Sequence, residues 1–150
     1  MKGLITYREV ADEQDLQAYE GLMHAYWELP EQSHPYVFPL SRWVHGSGNR
    51  GARWVAYRDG QPVGKIYLSY LGTKDTAAIF GVYVSPAARG YGIAGALTKL
   101  AISRAVKLGR TRVVLHSSEM GINLYRRLGF IERCILPIYA TTALHSVQPI

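Results

Sequence analysis

The stretch from Val82 to Ala94, VYVSPAARGYGIA, constrains this chain more than any other. A β-strand must end at Ser85-Pro86, because proline has no N–H to give to a sheet ladder. Arg89-Gly90-Tyr91-Gly92-Ile93-Ala94 then makes a tight turn that opens directly into an amphipathic helix. With no side chains at Gly90 and Gly92, backbone N–H groups can come close to a ligand. The first-turn amides of that helix lack an intrahelical acceptor, and the positive end of the helix dipole lies behind them. Strand, glycine turn and helix start together make a seat for a phosphate or pyrophosphate. Read alone, the glycines need do no more than turn the chain. Two other phosphate-binding patterns fail on spacing. No G-K-[ST] follows, and a dinucleotide fingerprint would need a third glycine and an acidic ribose ligand.

The rest of the chain frames this turn. A length of 150 residues fits one domain, with enough chain to bury an ordinary core. Leu4 to Arg8 reads as a short first strand. From Asp12, a residue suited to an N-cap, apolar residues recur at helical steps: Leu16, Tyr19, Met23, Tyr26 and Trp27. Pro30, Pro35 and Pro39 then force a loop before a short helix near Ser41 to His45, and Gly46 to Gly51 is polar and glycine-rich. Arg53 to Tyr57 and Val63 to Tyr70 read as strands joined by a hairpin at Asp59-Gly60. Thr76 to Val84 is the next strand, and Ile93 to Leu108 the helix after the turn, stopped by Gly109. Thr111 to His116 reads as a buried strand, Gly121 to Leu128 as a short helix, and Phe130 to Thr142 as closing strands. A meander followed by strand–helix–strand–helix–strand predicts an α+β domain with a mixed sheet.

A second signal lies about thirty residues past the turn, at Leu124-Tyr125-Arg126-Arg127-Leu128-Gly129-Phe130. Leu124 and Leu128 are one helical turn apart and face the core, while Tyr125 projects at a different angle, towards the sheet opening. Alone this is a helix stop with a packed tyrosine. Together the two signals resemble the GNAT-type N-acetyltransferase superfamily. R-G-Y-G-I-A matches that family's R/Q-x-x-G-x-G/A motif, and L-Y-R-R-L-G-F matches its L-Y-x-x-L-G-F signature. The strong resemblance spans Ala78 to Phe130.

The resemblance implies a mixed, partly splayed sheet of about six to seven strands flanked by about four helices. It also implies roles for matched positions. Backbone groups of Val82, Tyr83 and Val84 would pair with the pantetheine arm of acetyl-CoA like an added strand. Amides from Gly90 through Tyr91, Gly92, Ile93, Ala94 and Gly95 would hold its pyrophosphate, with Arg89 shaping the turn. Tyr125 would protonate the departing thiolate, and a backbone N–H near Val84 would polarise the thioester carbonyl. An amine acceptor would be bounded by Tyr26, Trp27, Glu28, Tyr36, Phe38 and Tyr139, aromatic walls with a carboxylate that suit a cation. The same exposed tyrosines could instead form a homodimer interface.

Several positions depart from the family pattern. Many members carry a glutamate in the segments that here read Ala77 to Gly81 and Val113 to His116. A base must therefore come from solvent, His116, Glu119 or the loop acids Glu28 and Glu31, and His116 closes the strand nearest the expected site. Ser118 stands seven residues before the tyrosine, where an asparagine often bonds pantetheine, and Gly121 replaces a common alanine.

Composition narrows the remaining classes. Cys134 is the only cysteine, which excludes an internal disulfide, and a free thiol fits the cytoplasm. It reads as a core cysteine rather than a nucleophile. His24, His34, His45, His116 and His145 show no metal-ligand spacing, so no metal is assigned. No apolar run reaches the roughly 18 residues of a membrane span. The formal charge of +6 favours anionic partners, but no basic block or nucleic-acid motif accompanies it. The alternatives to an acetyltransferase are a non-catalytic acyl-CoA-binding module and an RNA-associated protein.

Overall fold

The computed structural model describes residues 3–28, 39, 42, 50–70 and 73–137. Among them, β1 (Ile5–Glu9), β2 (Gly51–Arg58), β3 (Gln61–Ser69), β4 (Thr76–Val84) and β5 (Arg112–Leu115) form one sheet in sequence order. The first four strands are antiparallel, and β5 lies parallel to β4 after a helical crossover. The helices are α1 (Glu13–Trp27), α2 (Ile93–Lys107) and α3 (Ile122–Arg127).

Each element follows from its local sequence. The Asp12 carboxylate caps α1 by accepting the Asp15 N–H at 2.8 Å. Asp59 and Gly60 both take positive φ, 51° and 80°, which is the geometry of a two-residue hairpin matched to strand twist. Strand β2 is covered on both faces, so its sequence is nearly continuously buried. Its Val55 and Tyr57 pack with Leu16, Tyr19 and Leu22 of α1. Its Ala52, Trp54 and Ala56 belong to the opposite core, with Ile66, Leu68, Ile79 and the α2 residues Ile93, Leu97, Ala101 and Ala105. Each fully buried Leu or Ile contributes about 1.5–3 kcal/mol. Two cores on one sheet fix where β4 ends and where α2 begins.

Four expectations need correction. The described residues hold five strands and three helices, fewer than the six to seven strands and four helices implied above. Residues 130–137 form no strand; Pro137 cannot donate to a ladder, and Ile135 is 85% exposed. The remainder of the expected closing strands, and most of the expected helix from Ser41 to His45, lie outside the described residues. Strand β5 is not buried: exposed and half-buried residues alternate because Val113 and Leu115 pack on the α2 core while Val114 faces away. The helix expected from Gly121 to Leu128 is a 3₁₀ turn, Glu119–Gly121, followed by α3.

Candidate active site

The site begins where β4 and β5 part. Their parallel pairing runs from Thr76 with Arg112 to Ile79 with Leu115 and then stops, leaving Phe80–Val84 without a β5 partner. On its other side, β4 carries an extra residue. Tyr67 pairs with Phe80 and Lys65 with Tyr83, so Gly81 and Val82 together oppose Ile66. This bulge requires Gly81, whose φ is +57°, and bulges bend a strand and re-aim its groups. A β-carbon at Gly81 would also sit 2.9 Å from the Lys65 Nζ.

The opening is a cleft lined by Ile79, Gly81 and Val82 of β4, by Leu115 of β5 and by His116 and Ser118 after it. Tyr26 of α1 and Tyr125 of α3 close it. Tyr125 is 9% exposed and meets the Phe130 ring edge-on, with centroids 5.8 Å apart. Burial, and then the neighbouring Tyr26, raise its pKa above the ordinary phenol value, so the hydroxyl stays protonated at neutral pH. Gly121 makes room for this ring: a β-carbon there would lie 2.8 Å from Tyr125 Cε2 and 2.9 Å from Ser117 Oγ.

At the far end of β4 the glycine turn is built as the sequence requires. Gly90 and Gly92 have φ of 82° and 78°, and Gly92 is the N-cap of α2. Ala96 donates the first intrahelical bond, to the Gly92 carbonyl. The N–H groups of Ile93, Ala94 and Gly95 are thus left without intrahelical acceptors, and no side chain caps them. Ile93 is 2% exposed and anchors the helix start in the core. Arg89 Nε donates to the Val84 carbonyl at 3.3 Å, tying the turn to the strand. The Arg58 guanidinium lies 4.0 Å from the Tyr91 ring centroid and donates to its hydroxyl at 3.1 Å.

A buried polar layer lies between α1 and the sheet. Lys65 is 1% exposed and its Nζ donates to the Gly81 carbonyl at 2.8 Å. The same nitrogen is 4.9 Å from the Tyr26 ring centroid and 5.3 Å from that of Tyr19. Burial, with Arg53 nearby, pulls its pKa down to about 7. Glu20 is also buried; burial raises its pKa despite an Arg42 Nη2 at 3.3 Å. Tyr57 donates to Asp15 Oδ1 at 2.6 Å in the same layer.

Of the residues singled out by sequence, Val82, Tyr125, His116, Ser118 and Tyr26 come together at one cleft. His116 and Ser118 are exposed there. Tyr83 packs against Tyr26 at 5.8 Å rather than lining the cleft. Trp27 is exposed, and Glu28 ends α1 in the left-handed conformation; neither lines the cleft. Tyr36, Phe38 and Tyr139 lie outside the described residues. Cys134 is exposed, not a core residue, because it falls in the irregular 131–137 segment. Sequence reasoning missed Lys65 and the bulge at Gly81. A glycine inside a strand pattern was the available signal; an inward lysine in a strand gives none.

A mixed sheet that splays after Ile79, with a glycine turn and helix start at its open end, defines an acetyltransferase architecture. The chain belongs to the acetyltransferase (GNAT) family, matching it over residues 16–130. It is 30% identical over 125 residues to an uncharacterised N-acetyltransferase from Methanocaldococcus jannaschii; the match covers 78% of this chain and 53% of that protein. The chain thus spans about half the length of that curated relative. Its fold is similar to an acetyltransferase from Trypanosoma brucei, with a TM-score of 0.75, 23% identity and coverage of 92% and 100% of the two chains. An aminoglycoside N-acetyltransferase, AAC(6')-Iy, solved with CoA, gives a TM-score of 0.74, 18% identity and coverage of 93% and 96%. Among the described residues no helix is long and apolar enough to cross a membrane, and no group of three His, Cys, Asp or Glu side chains could hold a metal ion.

Proposed function

We propose that this chain transfers an acetyl group from acetyl-CoA to a primary amine by direct attack within a ternary complex. The observation that carries this reading is the cleft between the unpaired end of β4 and β5, with the buried Tyr125 at its wall. The free edge of Val82 to Val84 receives the pantetheine arm as an added strand. The first-turn amides of α2 hold the pyrophosphate. Ser118 bonds the pantetheine from the opposite side, and Arg89 keeps the turn in place.

The amine lone pair attacks the thioester carbonyl to form the C–N bond, the C–S bond breaks, the CoA thiolate takes the Tyr125 proton, and the proton shed by the acylated nitrogen returns to the phenolate through solvent. The acceptor must arrive as a free amine. At neutral pH deprotonating an alkyl ammonium of pKa near 10.4 costs about 4–5 kcal/mol. His116, exposed at the cleft, passes that proton to solvent. Tyr26 forms an aromatic wall for a cationic acceptor. The small-molecule aminoglycoside acceptor of the neighbour with CoA supports an amine of that class. The test is a kinetic panel of polyamines, amino acids, aminoglycosides and peptide N-termini with acetyl-CoA. Saturable acetylation of one class supports the reading, and turnover of none sinks it.

One observation favours a second reading, an acyl-CoA-binding module without turnover: no carboxylate lines the cleft among the described residues. That reading predicts acetyl-CoA binding with no product from any amine, and no effect of Tyr125→Phe on anything measurable.

A further inference from the structure

The β4 bulge is held by a side chain from the neighbouring strand. Lys65 Nζ donates to the Gly81 carbonyl at 2.8 Å, and this carbonyl belongs to the Gly81–Val82 peptide unit. The chain has no cis peptide bond among the described residues, so the carbonyl and the Val82 N–H at the two ends of that unit point in opposite directions. With the oxygen turned to Lys65, the N–H is turned away from it. Gly81 and Val82 both line the cleft. We propose that Lys65 is a positioning residue for acetyl transfer: its amine fixes and polarises the Gly81–Val82 peptide, making the Val82 N–H the donor that meets the thioester oxygen. This rests on the acetyltransferase reading above and names a residue that acts through that site.

A purely structural role accounts poorly for a lysine here. The amine is buried; among the described residues it makes a single hydrogen bond and no carboxylate lies within ion-pair distance of it. An unbranched apolar side chain would fill the space without that desolvation penalty. Chains of hydrogen bonds polarise one another in a low-dielectric site, and a cation on a carbonyl oxygen strengthens the N–H at the other end of the same amide. That N–H then stabilises the charge that develops on the thioester oxygen.

The groups around the amine decide how this depends on pH. Tyr19 and Tyr26 of α1 turn their rings to the Nζ and favour its cation. Arg53 of β2 opposes it, Tyr83 of β4 lies opposite in register, and Glu20 of α1 is engaged by Arg42. Burial and Arg53 bring the amine's pKa to about 7. The polarising charge is therefore present below pH 7 and lost as pH rises through it.

The test is the ratio of wild-type to Lys65→Met turnover with acetyl-CoA and the best amine of the panel, followed from pH 6 to 9. A ratio cancels deprotonation of the acceptor, which is common to both proteins. The expected ratio is about tenfold at pH 6, less than the loss of a whole oxyanion donor, falling to about twofold at pH 9. The variant's melting temperature should not drop. A second measurement needs no variant: the Lys65 ¹³Cε resonance of the wild-type chain should titrate near neutrality, with its midpoint raised when acetyl-CoA is bound. Wild-type turnover with a flat ratio near one, or a midpoint unmoved by acetyl-CoA, overturns the role of Lys65 alone. Absence of acetyl-CoA binding by the wild-type chain in calorimetry overturns the acetyltransferase reading, and this inference with it.

Discussion

Ile79 and Leu115 are the last residues at which β4 and β5 pair, and both line the cleft that opens beyond them. Past this point two pieces of chain frame the cleft in which the proposed transfer takes place. The bulged, unpaired end of β4 offers backbone groups, and the turn into α3 brings the Tyr125 ring across the gap. The sheet therefore sets the distance between the strand edge and the hydroxyl.

Replacing Tyr125 by Phe removes the proposed proton donor while keeping the ring against Phe130. Turnover should fall about 10²- to 10⁴-fold, the range for a positioned acid, with acetyl-CoA affinity changed less than about threefold. Because the Tyr125 pKa is raised above 10, its proton is lost only at still higher pH. Steady-state kinetics should therefore show no loss of the wild-type rate up to pH 9 that Tyr125→Phe abolishes.

Gly121→Ala places a methyl group 2.8 Å from the Tyr125 ring. The ring must shift, at a cost of about 1–3 kcal/mol for overpacking. The expected outcome is a melting temperature lower by several degrees and a turnover lower by about tenfold, with an unchanged KM for acetyl-CoA. A variant with wild-type turnover would show that the ring's placement is not critical.

Tyr57→Phe leaves the buried Asp15 carboxylate without the 2.6 Å hydroxyl bond. Losing a hydrogen bond to a buried acceptor costs about 1–3 kcal/mol, with Arg8 Nη1 still 3.9 Å from Asp15 Oδ1. Thermal melting should fall by about 2–4 °C per kcal/mol for a chain of this size. Calorimetry should find acetyl-CoA affinity unaltered, since Tyr57 lies away from the cleft.

Lys65→Met should reshape stability against pH. The folded Lys65 releases its proton near pH 7, and the unfolded one keeps it up to about 10.5. Unfolding therefore takes up a proton between those values, and wild-type stability rises with pH across that window. Below pH 7 the wild type bears the full penalty of a buried charge. Denaturant titrations should find the variant more stable by roughly 2–4 kcal/mol at pH 6.5, with the gap narrowing by pH 9.5. A difference independent of pH would contradict the assignment.

Much of this was legible in the sequence because it depends on backbone rules. Proline after β4, glycines at positive φ before α2 and the Asp59-Gly60 hairpin are local constraints that leave a mark in the residues themselves. Tyr125 was readable from its neighbours, since Leu124, Leu128 and Gly129 fix the helix and its stop. Lys65 was not readable. Its burial depends on α1 crossing the sheet and on a bulge in the neighbouring strand β4, neither of which is a local property. The exposure of Cys134 was missed for a related reason: a strand pattern from Phe130 onward implied packing that residues 130–137 do not make.

The central claim is that acetyl-CoA occupies the cleft with its pyrophosphate at the start of α2. Calorimetric titration of acetyl-CoA into the wild-type chain and into Ala94→Glu tests it most directly. A glutamate in the first turn favours the helix dipole but repels a phosphate, so the two effects carry opposite signs. Micromolar binding by the wild type, at least tenfold weaker binding by Ala94→Glu and no fall in its melting temperature are the predicted results. No binding by the wild type at millimolar acetyl-CoA, or equal binding by the two proteins, would contradict the account.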